Sequence, residues 1–278
     1  MKTIISASRR TDIPAFYLRW LSYHIERGSV SVRNPVFKQK HYTVSLQPED
    51  VHSIVLWSKD FSTFLRSRLA RDDRYRWYFN FSLVACPEWE QAVPPLAMRL
   101  HQVDEICRRW SAQAVNWRFD PIVFWDEGRR HNLDSFLPIA DHMAQHGVGR
   151  CTVSFVTWYK KVNRRRQSQA LCGHDPPLSQ KLEIVAWMEA ALRERDIQLA
   201  SCCNDDLLAV EGVKQGQCVP GPLLEELAGE RCTQARDGSQ RPGCGCTKSA
   251  DIGSYEMTCL HGCTYCYAKP HLFAGVKA

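Results

Sequence analysis

The sequence has no run of about eighteen or more apolar residues, so no transmembrane helix is expected. Its N-terminal segment, MKTIISASRRTDIP, has only a short apolar stretch before Arg9 and Arg10. That stretch is too short for the core of a secretory signal peptide. These two absences predict a cytoplasmic protein that has no membrane partner.

The sequence also lacks a glycine-rich phosphate loop after any predicted strand, which argues against a Rossmann or P-loop nucleotide fold. No internal repeat is found. The formal net charge of +6 is mild, and it permits an anionic substrate or a nucleic acid without requiring either. An apolar fraction of 44% is enough to bury a full core, so extensive disorder is not expected.

Cysteine, in contrast, is abundant and unevenly placed. Nine of the thirteen cysteines lie between Cys202 and Cys266. Disulfides are rare in a reducing compartment, so clustered cysteines there indicate metal binding. The other four lack ligand spacing and are predicted to be buried small residues or free thiols. These four are Cys86, Cys107, Cys151 and Cys172.

Strand-like and helix-like segments alternate along the chain. Strands are predicted at 3–8, 52–57, 76–83, 114–119, 151–157 and 197–202, and helices at 14–27, 61–70, 96–110, 134–146, 179–195 and 222–228. Alternation of this kind predicts an α/β fold with a parallel sheet, either open and doubly wound or closed as a TIM-like βα barrel. We expect a single partial barrel of about six units.

Three other segments complete the predicted organisation. A hairpin insertion is expected near 30–46, with Asn34-Pro35 as a turn signal, and the basic, polar residues 161–177 are interpreted as a loop that acts as a lid. Residues 1–229 would form the barrel core. Residues 230–278 would form a cysteine-rich segment that closes it.

Polar side chains follow the predicted strands at their carboxyl ends, where the site of an α/β fold lies. The candidates for catalysis or anion binding are Arg9, Arg10, Asp12, Lys59, Arg118 and Asp120, and the candidates for cofactor contact are Ser8 and Ser154. Cations and hydroxyls suit an anionic ligand, for example one with a carboxylate. The alternative for Arg118 and Asp120 is an ion pair with each other at the barrel rim. Trp57 and Trp125 are predicted to be packing residues.

The cysteines near the end of the chain form two groups. Cys259, Cys263 and Cys266 have C-x3-C-x2-C spacing, which lets three thiolates converge on one metal cluster and leaves one metal with an open position. The second group is Cys202 or Cys203 together with Cys218, Cys244 and Cys246. It is a candidate four-thiolate site, for either structural zinc or a second cluster.

The C-x3-C-x2-C string with Tyr265 before its last cysteine resembles the signature of radical S-adenosylmethionine (radical SAM) enzymes. The wider string CLHGCTYCYA, residues 259–268, is similar to the spore photoproduct lyase-like branch. In that superfamily the loop normally follows the first barrel strand, whereas here it comes last.

Nearly the whole chain also resembles the DUF1848 family. The shared segments are Ser6–Pro14 (SASRRTDIP), Val32–Pro35 (VRNP) and the cysteine-rich stretch Cys244–Ala268. This resemblance implies no established reaction. It supports a circularly permuted radical-SAM-like barrel in which residues 251–257 stand in for the strand that precedes the loop.

The radical SAM resemblance implies a specific chemistry. Cys259, Cys263 and Cys266 would bind three irons of a [4Fe-4S] cluster, and the amino and carboxylate groups of SAM would chelate the fourth. A reductant such as flavodoxin or ferredoxin would supply the electron that cleaves SAM to a 5′-deoxyadenosyl radical, which abstracts hydrogen from substrate. Tyr265 would pack beside the cluster or near the adenine. Arg9, Arg10, Lys59 and Arg118 would bind the SAM carboxylate or an anionic substrate.

Two other functions remain open at this point. One is a non-catalytic iron–sulfur protein for electron transfer or sensing. The other is a zinc-binding protein that uses Cys244-x-Cys246 and Cys263-x2-Cys266. The substrate would be a small molecule or, by analogy with the lyase-like branch, a modified nucleic acid.

Overall fold

The computed structural model describes residues 1–34, 37, 39–168 and 172–273, and it places a large parallel sheet at the centre of an α/β fold. The strands are β1 (Thr3–Ala7), β2 (Ser29–Arg33), β3 (His41–Ser45), β4 (Val51–Ser58), β5 (Trp77–Ser82), β6 (Val115–Ile122), β7 (Phe124–Trp125), β8 (Arg130–His131), β9 (Arg150–Phe155), β10 (Gly173–His174), β11 (Gln198–Ser201), β12 (Lys214–Gln215) and β13 (Ala250–Asp251). The α-helices are α1 (Ile13–Phe16), α2 (Leu18–Arg27), α3 (Ser62–Leu65), α4 (Leu96–Arg109), α5 (Phe136–Gln145), α6 (Lys160–Ser168), α7 (Leu178–Arg193) and α8 (Gly221–Ala228).

Eight strands form the central sheet in the order β12-β11-β9-β6-β5-β4-β1-β13, and all of their pairings are parallel. The six strands predicted from the sequence are all present in it. The other two, β12 and β13, were not predicted at these bounds, because a strand of two residues shows no periodicity. The strand expected within 251–257 is limited to Ala250–Asp251.

The segments outside the sheet differ more from the prediction. The predicted hairpin region contains β2 and β3, which pair antiparallel. Pro35 of its turn signal lies outside the described residues. The prediction that 161–177 form a loop was wrong, because α6 occupies Lys160–Ser168. Its sequence, KKVNRRRQS, is almost wholly polar, so it lacks the apolar periodicity that predicts a helix. Residues 169–171 of the proposed lid are not described.

The two faces of the sheet have different partners, because successive side chains of a strand point to opposite faces. One face carries Ile5, Leu56, Phe79 and Trp117, which pack with the helices in the main apolar core. The other face carries Ile4, Val55, Trp57 and Tyr78, which pack against Cys218, Cys244, Cys246 and the start of α8. The cysteine-rich segment therefore covers the second face of the sheet.

Among the described residues, no helix combines the length and the apolar character needed to cross a membrane.

Candidate cysteine-lined functional site

A cavity of about 490 Å³ lies at the carboxyl ends of the parallel strands. All seventeen site residues predicted from the sequence line it. They are Ser8, Arg9, Arg10, Asp12, Lys59, Arg118, Asp120, Ser154, Cys202, Cys203, Cys218, Cys244, Cys246, Cys259, Cys263, Tyr265 and Cys266. Parallel strands bring their carboxyl ends to one edge of a sheet, so residues far apart in sequence meet there. Their chemical roles remain predictions.

The loop that carries Cys259, Cys263 and Cys266 follows β13 and is held by backbone hydrogen bonds. The amide of Cys259 donates to the carbonyl of Lys269 at 2.9 Å, and the amide of Thr264 donates to the carbonyl of Trp89 at 2.9 Å. Gly262 has a φ of +68°, a left-handed conformation that favours glycine. These contacts fix the three thiols against the cavity.

Burial raises the pKa of each of these three thiols. Burial, and then the charge of Asp12, raise the pKa of Cys259 to about 12. Burial also raises the pKa of Cys263 and of Cys266, although Lys59 opposes it at both sulfurs. A buried thiol with a raised pKa keeps its proton unless a strong positive centre replaces that proton, as a bound metal does.

Asp12 links this loop to the sheet through hydrogen bonds of its carboxylate. Its Oδ1 accepts hydrogen bonds from the amide of Ala15 at 3.0 Å and from the hydroxyl of Ser58 at 2.8 Å. Its Oδ2 accepts from the amide of Lys59 at 3.0 Å and lies 2.8 Å from Nε2 of His261. The carboxylate that we predicted to be catalytic is therefore fully engaged in positioning helix α1, strand β4 and the cysteine loop.

Replacing Asp12 with alanine should lower the free energy of unfolding by roughly 2–4 kcal/mol, because it removes an N-cap and leaves buried donors without an acceptor. Asp134→Ala is the matched control, since the side chain of Asp134 is 91% exposed. That control should change stability by less than about 0.5 kcal/mol. Urea unfolding of both variants measures the difference. Equal stabilities would contradict the positioning role.

A buried ion pair lies beside Cys263. Nζ of Lys59 is 2.6 Å from Oε1 of Glu90, and the hydroxyl of Tyr265 donates to the same oxygen. Burial lowers the pKa of Lys59, but the charge of Glu90, the nearby Cys263 and the hydrogen bond to Glu90 together outweigh burial, so the pKa is raised. Lys59, predicted to bind an anionic ligand, thus already has a carboxylate partner.

The ring of Trp57 separates two arginines that line the cavity. The guanidinium carbons of Arg9 and Arg118 each lie 5.0 Å from the ring centroid, which is cation–π distance. Arg118 also forms an ion pair with Asp120, as the alternative interpretation expected. Nη2 of Arg9 and Nε of Arg118 are buried and have no hydrogen-bond partner among the described residues. The cavity wall therefore presents unsatisfied cationic donors.

Asp251, the last residue of β13, contacts three residues that line the cavity, which are Ser8, Arg9 and Arg10. It accepts hydrogen bonds from the hydroxyl of Ser8 at 2.5 Å and from the amide of Arg9 at 2.9 Å. The guanidinium groups of Arg9 and Arg10 lie 3.9 Å from its two oxygens. Ser154, the other predicted cofactor contact, likewise donates to a carboxylate, that of Asp120.

The second cysteine group brings five thiols together, and Sγ of Cys202 lies 3.9 Å from Sγ of Cys203. Each thiol shifts the pKa of two neighbouring thiols, so the five form a ring in the order Cys202, Cys203, Cys244, Cys246, Cys218. Hydrogen bonds from its neighbours lower the pKa of Cys202 and of Cys246. The same hydrogen bonds raise the pKa of Cys203 and Cys218, which donate them. Both Cys202 and Cys203 therefore belong to the group.

The two cysteine groups are separate. Cys263 interacts electrostatically with Lys59, Glu90, Cys266 and Cys259, whereas Cys246 interacts with Cys218, Cys244 and Arg9. The zinc alternative drew two ligands from each group, and this separation does not favour it. All thirteen cysteines lie in the described ranges and are free thiols.

Several residues of the site were not predicted from the sequence. Glu90, His261 and Asp251 carry no strand-end signal of their own. Trp57 packs in an apolar cluster, as predicted, and it also lines the cavity. The position of His261 between two predicted ligands was the one available signal. Asn80, which lies near the end of β5, is fully buried within the sheet and does not line the cavity.

Comparison with known proteins gives one result that bears on this site. No curated protein matches the chain. A family model described as a domain of unknown function, DUF1848, matches residues 4–268, a span that includes both cysteine groups. The chain therefore belongs to the DUF1848 family.

Proposed function

We propose that this protein is a radical SAM-type iron–sulfur enzyme that acts on a small anionic substrate. The observation that carries the proposal is the position of the C-x3-C-x2-C loop. Its three thiols follow strand β13 of a parallel sheet and line a cavity at the carboxyl end of that sheet. The radical SAM resemblance implies this placement for the cluster loop.

The strand order supports a circular permutation. Although β13 comes last in the sequence, it lies at the edge of the sheet and pairs in parallel with β1, through Ile5 with Ala250 and Ser6 with Asp251. Starting from this edge, the strands of the sheet are therefore β13, β1, β4, β5, β6, β9, β11 and β12. The loop that ends the chain takes the place of a loop after a first strand, so its position in the sequence is compatible with a permuted βα barrel.

The residues present fit a [4Fe-4S] cluster with one iron left open. Cys259, Cys263 and Cys266 are buried or half-buried free thiols that line one cavity, and no fourth cysteine belongs to their loop. Thiolates are the usual protein ligands of such clusters. When bound together with SAM, the cluster would supply reductive cleavage of the sulfonium, which begins hydrogen abstraction.

The size of the cavity and the residues that line it suit SAM and a small anionic substrate. A volume of about 490 Å³ is typical of a small-molecule site. This volume favours a small substrate over a modified nucleic acid. The guanidinium groups of Arg9 and Arg118 line the cavity, and their positive charge suits the carboxylate of SAM or of an anionic substrate. Tyr265 and Trp57 add aromatic surface that excludes water from the cavity.

Anaerobic purification and reconstitution test the proposal directly. We expect iron and sulfide to bind, and we expect addition of SAM to change the electron paramagnetic resonance spectrum of the dithionite-reduced protein, because SAM would ligate the open iron. A spectrum that SAM leaves unchanged would contradict the proposed open site.

A further inference from the structure

We propose that Cys202, Cys218, Cys244 and Cys246 bind a second [4Fe-4S] cluster in the wall of the same cavity. This inference goes beyond the proposed function and does not depend on SAM chemistry. It rests on the arrangement of the sulfurs, on the cations that face them and on the buried contacts that hold their backbone.

The spacing of the sulfurs does not match that of a single zinc ion. A zinc ion with four Zn–S bonds of about 2.3 Å holds every pair of its sulfurs about 3.8 Å apart. The sulfurs of Cys202 and Cys203 are that close, at 3.9 Å. However, no three cysteine sulfurs of the described residues all lie within 4.8 Å of one another. The sulfurs are therefore not arranged as the four ligands of a preformed zinc site.

The charge around the ring matches an anionic cluster. Arg9 faces Cys246 and Cys218, Arg118 faces Cys218 and Cys202, and Arg241 faces Cys203 and Cys202. The unpartnered atoms Nη2 of Arg9 and Nε of Arg118 are buried, and a buried guanidinium donor without an acceptor is costly. A cluster with four thiolates would supply negative charge and sulfur acceptors at this wall.

The backbone of the ring is fixed by a buried polar ladder across the sheet. The hydroxyl of Thr152 donates to the side chain of Asn116 at 2.9 Å, Asn116 donates to Asn80 at 2.7 Å, and Asn80 donates to the carbonyl of Cys218 at 2.8 Å. All three side chains are buried on strands β9, β6 and β5. The sheet thus positions one ligand through a fully satisfied network, an arrangement expected of a preorganised site.

Two cysteines in the same region do not belong to the proposed ligand set. The sulfur of Cys232 lies 3.5 Å from the carbonyl of Gly221, and this residue does not line the cavity. Cys203 is half-buried, whereas Cys218 is buried, and the neighbours of Cys203 are Cys202 and Cys244. We assign the fourth ligand to Cys202, because it contacts Cys218 and faces Arg118. With four thiolates, this cluster would have no open iron.

Iron and sulfide analysis after anaerobic reconstitution tests the inference. The wild-type protein should bind about eight irons and eight sulfides per chain. The triple variant Cys259→Ser, Cys263→Ser, Cys266→Ser should retain about four irons, in a cluster whose spectrum does not respond to SAM. The double variant Cys218→Ser, Cys246→Ser should lose about four irons, and the matched control Cys232→Ser should lose none.

Stoichiometric zinc in the wild-type protein would overturn the inference even if a variant failed to fold, and so would about four irons that the triple variant loses and the double variant retains. Retention of iron by Cys202→Ser together with its loss from Cys203→Ser would overturn the assignment of the fourth ligand. A cluster in the triple variant, together with an iron-loaded wild-type protein that does not cleave SAM, would support the second site and reject the proposed function. The failure of one proposal is therefore distinguishable from the failure of the other.

Discussion

Replacing Cys263 with alanine should abolish the formation of 5′-deoxyadenosine from SAM. Cys263 is the central thiol of the C-x3-C-x2-C loop, it is 5% exposed, and it lines the cavity. Mutations of residues that only support a metal ligand typically cost about 10–100-fold in affinity or activity, so loss of a ligand should cost more than about 100-fold. Chromatographic measurement of 5′-deoxyadenosine in anaerobic assays with dithionite gives the comparison.

Cys86→Ala is the matched control for this variant. Cys86 is 1% exposed and packs in the same aromatic cluster as Cys263, but it does not line the cavity. We expect this control to keep most of the activity and all of the iron. Equal activity of the two variants would refute the assignment of Cys263 as a cluster ligand.

Replacing Glu90 with glutamine should lower the free energy of unfolding by about 3–5 kcal/mol, the usual cost of breaking a buried ion pair. The variant would leave the ammonium of Lys59 without its carboxylate in a place where its side chain is only 13% exposed. It would also change the acceptor of the Tyr265 hydroxyl. Denaturant unfolding of the purified protein measures the loss.

Two further variants make this prediction specific. Glu88→Gln removes an exposed partner of Arg130, and it should change stability by no more than about 1 kcal/mol. The double variant Lys59→Met, Glu90→Gln should recover part of the stability, because no unpaired charge stays buried. A Glu90→Gln protein as stable as the Glu88→Gln protein would show that the buried pair contributes nothing.

The main part of the sheet was predictable because its longer strands carry contiguous apolar residues between polar turns. Strand β4, for example, is buried at all eight positions. The edge strand β13 was not predictable at its observed bounds. It has two residues, and its place depends on pairing with β1 across about 245 positions of sequence. Local pattern cannot indicate a contact of that range.

The candidate site was also predictable only in part. Arg9, Arg118 and the cysteines could be selected because they follow strands or have ligand spacing, and they do line the cavity. The residues that pair with these side chains could not be identified from the sequence. Glu90 pairs with Lys59 from a loop that follows β5, and His261 reaches Asp12 from the other end of the chain. Those pairs form only when the sheet brings the loops together.

The most direct test of the central claim is the reductive cleavage of SAM by the wild-type protein. The protein is purified anaerobically, reconstituted with iron and sulfide, and incubated with SAM and dithionite, and the products are quantified. The account predicts 5′-deoxyadenosine and methionine in equal amounts, with neither product formed by protein that lacks iron. Iron-loaded, reduced protein that forms neither product, or protein that holds stoichiometric zinc in place of iron, would contradict it.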